Sequence, residues 1–411
     1  MRRISADYIF PLSSEPVKNG IITIDDAGLI LNVESGNGDR KPEIEYYKGI
    51  ICPGFVNTHC HLELSGMRSQ MPEKLGMTGF IKEIISKRSS STEEMIQQAI
   101  EEAEAEMIRN GIAAVGDISN NNSTFKQKAK GNLLYHTFIE IFDLNPGKAD
   151  EVFKNALVLK QQLQELETSN LHLPSSIVPH APYTVSEKLL HLINDYAIEN
   201  KSILSIHNQE SETESELFIS KSGLMYEAFK KMGINTDLLR NTGFNSLKST
   251  LPCLMGAYKL LLVHNTFTSK EDIDWAETKM RNQELRIKNQ NQNEKSEILY
   301  WCTSPNANLY IENKLPDYNY FIEANVLVTI GTDSLASNWS LSVLDELKTI
   351  AKYYPQIPLH TLLTWGAKNG ADFLGFTQLG TIEKGKRPGL NLLKNIEGLT
   401  ISGKTEVVKL V

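Results

Sequence analysis

The sequence predicts an α/β protein: a parallel (β/α)8 TIM barrel with a small β-sandwich formed by the N- and C-terminal segments. Three observations predict it. Eight apolar runs rich in strand-forming residues recur along the chain, segments of helical period separate most of them, and several runs end at a residue able to do chemistry. The runs are 49–57, 112–119, 135–142, 176–183, 202–209, 260–266, 297–303 and 326–333. They are continuous rather than alternating because helices cover both faces of a parallel sheet. In such a barrel, function sits where loops leave the carboxyl ends of the strands. His59 and His61, Asp117, His180, His207, His264 and Asp333 all stand at or next to such ends.

The chain ends read differently. Residues 1–47 carry short alternating stretches, such as 20–25 and 29–33, between turn residues, and 380–411 read the same way. Segments 1–48 and 380–411 are therefore assigned to one terminal sandwich and 49–379 to the barrel. The clearest helix spans 92–110, where Met95, Ala99, Ala103 and Met107 recur every fourth position. Ser91 with Glu94 forms a capping box at its start, and Gly111 closes it. The stretch 279–295 is polar and reads as a solvated helix or loop before the seventh strand.

Length and composition bound the function. The 411 residues suit two or three ordinary domains or one large barrel, and 41% hydrophobic with 22% charged residues is the balance of a folded globular protein. A net charge of −8 leaves no general basic surface, which argues against nucleic acid as a partner. No apolar run approaches the roughly 20 residues of a membrane span, so the chain is read as cytoplasmic. Four cysteines without a CxxC spacing read as free thiols.

His59-Cys60-His61 closes the first run. Residues i and i+2 of a strand share a face, so the two imidazoles can converge on one ion while Cys60 points away. A catalytic metal needs three or four protein ligands, and His207 and Asp333 supply the rest from the fifth and eighth strand ends. Strands one and eight are neighbours in a closed barrel, which places Asp333 beside the histidine pair. Each residue alone could be structural; together, at three strand ends, they point to one divalent transition metal, zinc before iron. Glu210 follows His207 by three residues and can reach over a metal-bound water as a proton carrier. Its bland reading is the start of an acidic helix with Glu212, Glu214 and Glu216. His264 ends the sixth run and is expected to donate a hydrogen bond to the attacking water or the developing oxyanion; a core histidine is the alternative. With these parts, the ion lowers the pKa of its water from about 15.7 towards 7 and Asp333 takes a proton as hydroxide attacks. Glu210 protonates a ring nitrogen and relays a proton to the leaving group, releasing ammonia. The expected reaction is hydrolytic deamination.

The residues resemble the amidohydrolase superfamily through PGFVNTHCH (53–61), IHNQE (206–210), VHNTF (263–267), GTDSLASNWSLSVLDEL (331–347) and the tail GTIEKGKRPGL (380–390). The fourth run ends in Val178-Pro179-His180-Ala181-Pro182-Tyr183, without the lysine that bridges two metals in binuclear members, so the resemblance implies the single-metal deaminase branch. HAPYT resembles the S-adenosylhomocysteine and methylthioadenosine deaminases, which implies that His180 contacts substrate. GDISN (116–120), HLELS (61–65) and SLSVLDEL resemble the aminodeoxyfutalosine deaminases of menaquinone synthesis, which convert a 6-amino purine nucleoside to its 6-oxo form. Asn120 enters the candidate substrate-binding set with this resemblance. Glu63 is a further candidate, with bonding to loop backbone as its alternative. The seventh strand departs from the family's C-P-x-S-N, because Cys302-Thr303-Ser304-Pro305-Asn306 shifts the proline. Another amidohydrolase, such as a guanine or cytosine deaminase or a chlorohydrolase, is the alternative function; a metal-free scaffold is a third. The expected partner is a small-molecule substrate, with a homodimer left open.

Overall fold

The computed structural model describes residues 1–36, 42–87, 92–288 and 299–411, with side chains described to residue 282 in the segment before the third gap. Five N-terminal strands come first: β1 (Arg2–Ile9), β2 (Val17–Lys18), β3 (Ile21–Ile24), β4 (Ile30–Glu34) and β5 (Glu45–Pro53). Eight follow: β6 (Phe55–Cys60), β7 (Ile112–Ser119), β8 (Leu134–Ile141), β9 (Ser175–Pro179), β10 (Ile203–Asn208), β11 (Lys259–His264), β12 (Leu299–Thr303) and β13 (Leu327–Ile330). The C-terminal pair is β14 (Leu390–Lys394) and β15 (Glu406–Lys409).

Both termini share one seven-stranded sheet, in which β14 joins β5 antiparallel and β5 joins β1 parallel. Ile4, Ile9, Ile22, Ile30, Ile51 and Leu392 form its own buried cluster. The expected meeting of the two termini is present as one hydrogen-bonded sheet. The first run required correction. Residues 49–57 are two strands, because Pro53 ends β5 in the terminal sheet and Gly54 turns the chain, its N–H bound to Pro388 O, before β6 begins. The run is apolar throughout, so hydrophobicity alone does not show the break.

β6 to β9 and β10 to β13 form two four-stranded parallel sheets in sequence order. Two seams join their edges. At one, His207 N–H donates to His180 O at 3.0 Å. At the other, the N–H groups of Thr332 and Asp333 both donate to His59 O at 3.0 Å, and Cys60 bridges to Asp333. Helices between the strands cover the apolar residues in one large buried cluster.

The helix Glu93–Arg109 is capped by Thr92, whose hydroxyl accepts from Met95 N. Ser91, expected in that role, lies outside the described residues. Gly111 does close this helix in a left-handed conformation, φ 73°. Its buried face runs through Ile100, Ala103, Glu104 and Met107, while Met95 is 58% exposed. Of the polar stretch 279–295, residues up to Lys288 belong to the helix Lys270–Lys288, and the remainder lies outside the described residues. The four cysteines are buried free thiols. Trp301 and Trp365 are buried, whereas Trp339 is 48% exposed and donates to Glu73. Among the described residues no helix is long and apolar enough to cross a membrane.

Candidate active site

His59 lies within β6 and His61 one residue beyond it, so strand alternation turns both rings to one side. Their Nε2 atoms are 3.2 Å apart. Asp333 Oδ1 lies 3.6 Å from Nε2 of His59 and 3.4 Å from Nε2 of His61. Two local features bring Asp333 there. Gly331 lets β13 close on β6, since a Cβ at that position would stand 2.7 Å from the His59 Cβ. Asp333 itself adopts a left-handed φ of 57°, costly for a residue other than glycine and held by the two bonds to His59 O. Its second oxygen accepts from Ser337 Oγ at 2.5 Å.

His207, at the end of β10, lies with its ring centroid 4.9 Å from that of His59 and 5.4 Å from that of His264. Its Nδ1 is 2.6 Å from the His180 carbonyl, so Nδ1 carries the proton and Nε2 keeps a lone pair. Ligand atoms of His59, His61 and Asp333 lie within 4.8 Å of one another, as do those of His59, His207 and His264. The two groups share His59. Burial pushes the imidazoles of His61 and His207 well below the usual histidine range, with neighbouring imidazoles adding to the effect. Burial works to raise the Asp333 carboxyl, but the hydrogen bond from His59 and the surrounding histidines outweigh it and hold the carboxyl far below the usual range. His61 and His207 are therefore held neutral beside an ionised Asp333 carboxylate.

Such a donor set fits a divalent cation. Tetrahedral ligands at about 2.1 Å from zinc are about 3.4 Å from each other, and the observed spacings among the first three donors are 3.2, 3.4 and 3.6 Å. Among the described residues, the opposite nitrogen of His59, Nδ1, is buried without a hydrogen-bond partner, so none of them outside the cluster fixes this ring's tautomer.

Among the described residues, Glu210 belongs to none of the groups whose spacing could hold a metal ion. Gln209, at φ 44°, turns the chain out of β10, and the N–H groups of Gln209 and Glu210 both donate to the Glu214 carboxylate at 3.1 Å. An acidic helix does begin here, at Glu212, but Glu210 itself is buried and faces the cavity. Its Oε1 lies 3.5 Å from His264 Nε2. Burial, with the charge of Asp333 added, pushes its carboxyl well above the usual range, so it carries a proton. His264 is lowered to about 4 by burial. Its Nδ1 is 2.9 Å from Asn308 Oδ1, to which it donates, so the neutral ring presents Nε2 as an acceptor. The expected donor role of His264 thus requires a proton on Nε2 first.

The cavity has a volume of about 520 Å³, with His61, His207, Glu210, His264 and Asp333 among its polar lining. Met77, Phe80, Ile81, Ile84, Phe229 and Ile234 supply an apolar wall. His180 and Asn120 also line it. The His180 Nδ1 pairs with Thr184 Oγ1 at 2.9 Å. Asn120 Nδ2 donates to Glu140 Oε2 at 2.9 Å. Glu63 is not among the lining residues; its carboxylate takes the Asn120 N–H at 3.0 Å and the Asn121 amide at 3.1 Å. Both bonds go to the loop that follows β7. Sequence reasoning missed Glu140, Asn308 and Ser337. Glu140 left a signal, a carboxylate inside the otherwise apolar run 135–142, where a charge survives only with partners.

Parallel strands alternating with helices, with histidines and carboxylates gathered at their carboxyl ends, mark an enzyme of the α/β class. The chain belongs to the Amidohydrolase family, whose profile matches residues 50–410. It is 27% identical over 353 residues to an adenosine deaminase of Helicobacter pylori, covering 84% of this chain and 79% of that one. It is 23% identical over 389 residues to a 5-methylthioadenosine/S-adenosylhomocysteine deaminase of Bacillus cereus, covering 91% and 80%. It shares the fold of Helicobacter pylori aminofutalosine deaminase, solved in complex with methylthio-coformycin, at a TM-score of 0.78 with 22% identity, over 97% of this chain and 94% of that one. The atrazine chlorohydrolase TrzN from Arthrobacter aurescens, complexed with zinc, matches at a TM-score of 0.70 with 17% identity, over 95% and 86%.

Proposed function

We propose that this protein is a hydrolytic deaminase, dependent on one divalent metal, that converts a 6-amino purine nucleoside-like substrate to its 6-oxo form with release of ammonia. Aminodeoxyfutalosine is a candidate substrate. The observation that carries the reading is that Glu210 and Asp333 line one cavity with the histidine cluster, Asp333 within 3.4 Å of His61 and Glu210 within 3.5 Å of His264, where burial raises the Glu210 carboxyl while the histidines hold that of Asp333 down. Two carboxyls pushed apart by their surroundings divide acid and base roles between them. The named activities of the similar Helicobacter and Bacillus proteins support the same chemistry.

His59, His61, His207 and Asp333 would hold the metal, with zinc preferred because imidazole suits it and the TrzN neighbour carries it. When bound, the ion supplies Lewis-acid activation of a water. Asp333 accepts the proton of the attacking water. Glu210, 3.5 Å from His264 Nε2, delivers its proton to the ring nitrogen beside the attacked carbon and then relays the proton of the new hydroxyl to the departing amine, which leaves as ammonia; the proton taken by Asp333 restores Glu210. His180 and Asn120 bind the substrate at the cavity wall, and the apolar wall excludes water and takes a non-polar part of it. In this reading the eight strands β6 to β13 close into a (β/α)8 barrel across the two seams. Residues 49–379 form the catalytic unit, and 1–48 with 380–411 form the terminal sandwich.

A spectrophotometric screen of the metal-loaded protein tests the proposal, with aminodeoxyfutalosine, adenosine, methylthioadenosine, guanine and cytosine as substrates and ammonia measured in parallel. The 6-amino purine nucleosides should react fastest. Ammonia from none of them, or chloride from a chlorotriazine in its place, overturns the assignment.

A further inference from the structure

Asp117, at the end of β7, has no part in the proposed chemistry. Its Oδ2 lies 2.6 Å from Lys128 Nζ, and both side chains are 0% exposed. Lys128 also donates to Ser119 Oγ at 2.9 Å and Thr137 Oγ1 at 3.1 Å. A buried ion pair is poor value as a source of stability, since well-packed neutral residues often do as well. The other oxygen of Asp117 suggests why it is here: Oδ1 accepts the N–H of Leu62 at 2.8 Å. Leu62 follows His61 directly and opens the short 3-10 helix Leu62–Met67, whose N-cap position, His61, makes no side-chain capping bond. An orphan N–H at a helix start needs an acceptor. Asp117 supplies it from the neighbouring strand, where its register partner is Cys60.

We propose that Asp117 and Lys128 are positioning residues for His61: Lys128 fixes the Asp117 carboxylate, and the bond from Asp117 to Leu62 N–H sets the backbone on which the His61 ring meets His59 and Asp333. The inference rests on the reading of that cluster as a metal site. Groups that orient ligands typically govern metal affinity by about 10–100-fold.

Two double variants separate positioning from mere packing. Asp117→Asn with Lys128→Met removes both charges yet keeps an acceptor for Leu62 N–H. Asp117→Leu with Lys128→Met removes the charges and the acceptor together, with Asp117→Ala/Lys128→Met as the smaller replacement should the leucine not fit. The zinc-loaded proteins are mixed with excess chelator, the release rate is followed, and melting of the metal-free forms controls for folding. The Asn/Met protein should release zinc within about threefold of the parent rate, and the acceptor-less proteins at least about tenfold faster. Parent-like release from the acceptor-less proteins overturns the proposal, as does equal loss from the Asn/Met protein. A parent protein that binds no zinc removes the metal-site reading itself, and is distinct from either result.

Discussion

Oε1 of Glu210 stands 3.5 Å from Nε2 of His264, and the far nitrogen of that ring is already committed to Asn308. Only one proton can lie between the two groups, and burial places it on Glu210, because it raises the carboxyl and lowers the imidazole. If that proton goes to substrate, Glu210→Gln should retain metal and lose turnover by a factor on the order of 10² or more. Metal analysis and steady-state rates on the same preparation check both halves. Unchanged turnover takes Glu210 out of the mechanism.

The same pair sets the pH profile. Glu210 acts in its protonated form and its pKa is raised, so kcat/KM should fall as pH rises through that raised value. His264 acts as a neutral acceptor with a pKa of about 4, so the rate should fall again only as pH drops towards that value. The result is a bell whose acid limb is set by His264 and whose alkaline limb is set by Glu210. In residual activity of Glu210→Gln the alkaline limb should disappear; a limb that persists belongs to another group.

His207 is held by its Nδ1 on the His180 carbonyl, leaving Nε2 for the cluster. His207→Ala should therefore lower metal affinity at least about tenfold, together with the rate. Chelator competition measures the first. A fully metallated variant with low activity would show that His207 serves the substrate instead.

Some of this was legible in the residues and some was not, for physical reasons. β7 coincides with its apolar run because Gly111 precedes it and Asn120 follows, so pattern and hydrogen bonding change together. Across 49–57 they do not: apolar residues continue while Pro53 and Gly54 pass the chain from one sheet to another. The histidine cluster was readable because strand alternation and strand-end placement fix direction. Asn308 and Ser337 were not, since their roles depend on where a separate helix, Pro305–Ile311, and the loop after β13 return. Lys128 looks like a solvated lysine in FKQKAK, yet pairing with Asp117 from a different element buries it completely.

Gly331 lies where the end of β13 meets β6. A methyl group there would meet the His59 Cβ at 2.7 Å and Cys302 Sγ at 2.9 Å, both in buried, closely packed surroundings. Gly331→Ala should cost about 1–3 kcal/mol of stability by overpacking. Because the clash pushes on His59 directly, metal affinity should fall with it. Denaturant unfolding of the metal-free protein gives the first quantity and chelator competition the second. Parent values for both would mean that the seam yields elsewhere.

Glu214 gives a stability prediction of opposite character. It is buried, accepts the N–H groups of Gln209 and Glu210, and burial raises its pKa to about 7 against those bonds. In the unfolded chain the group returns to about 4.3. The folded protein therefore binds a proton that the unfolded chain has released. This contribution is fully present below the unfolded value and is lost as pH rises through about 7. The slope is at most about 1.4 kcal/mol per pH unit. Glu214→Gln cannot titrate, so the stability of the parent relative to this variant should decline between about pH 5 and 7 and level off above it. Paired unfolding curves across that range measure the difference. A constant offset would mean that Glu214 keeps its charge when folded, and that its two N–H bonds outweigh the burial.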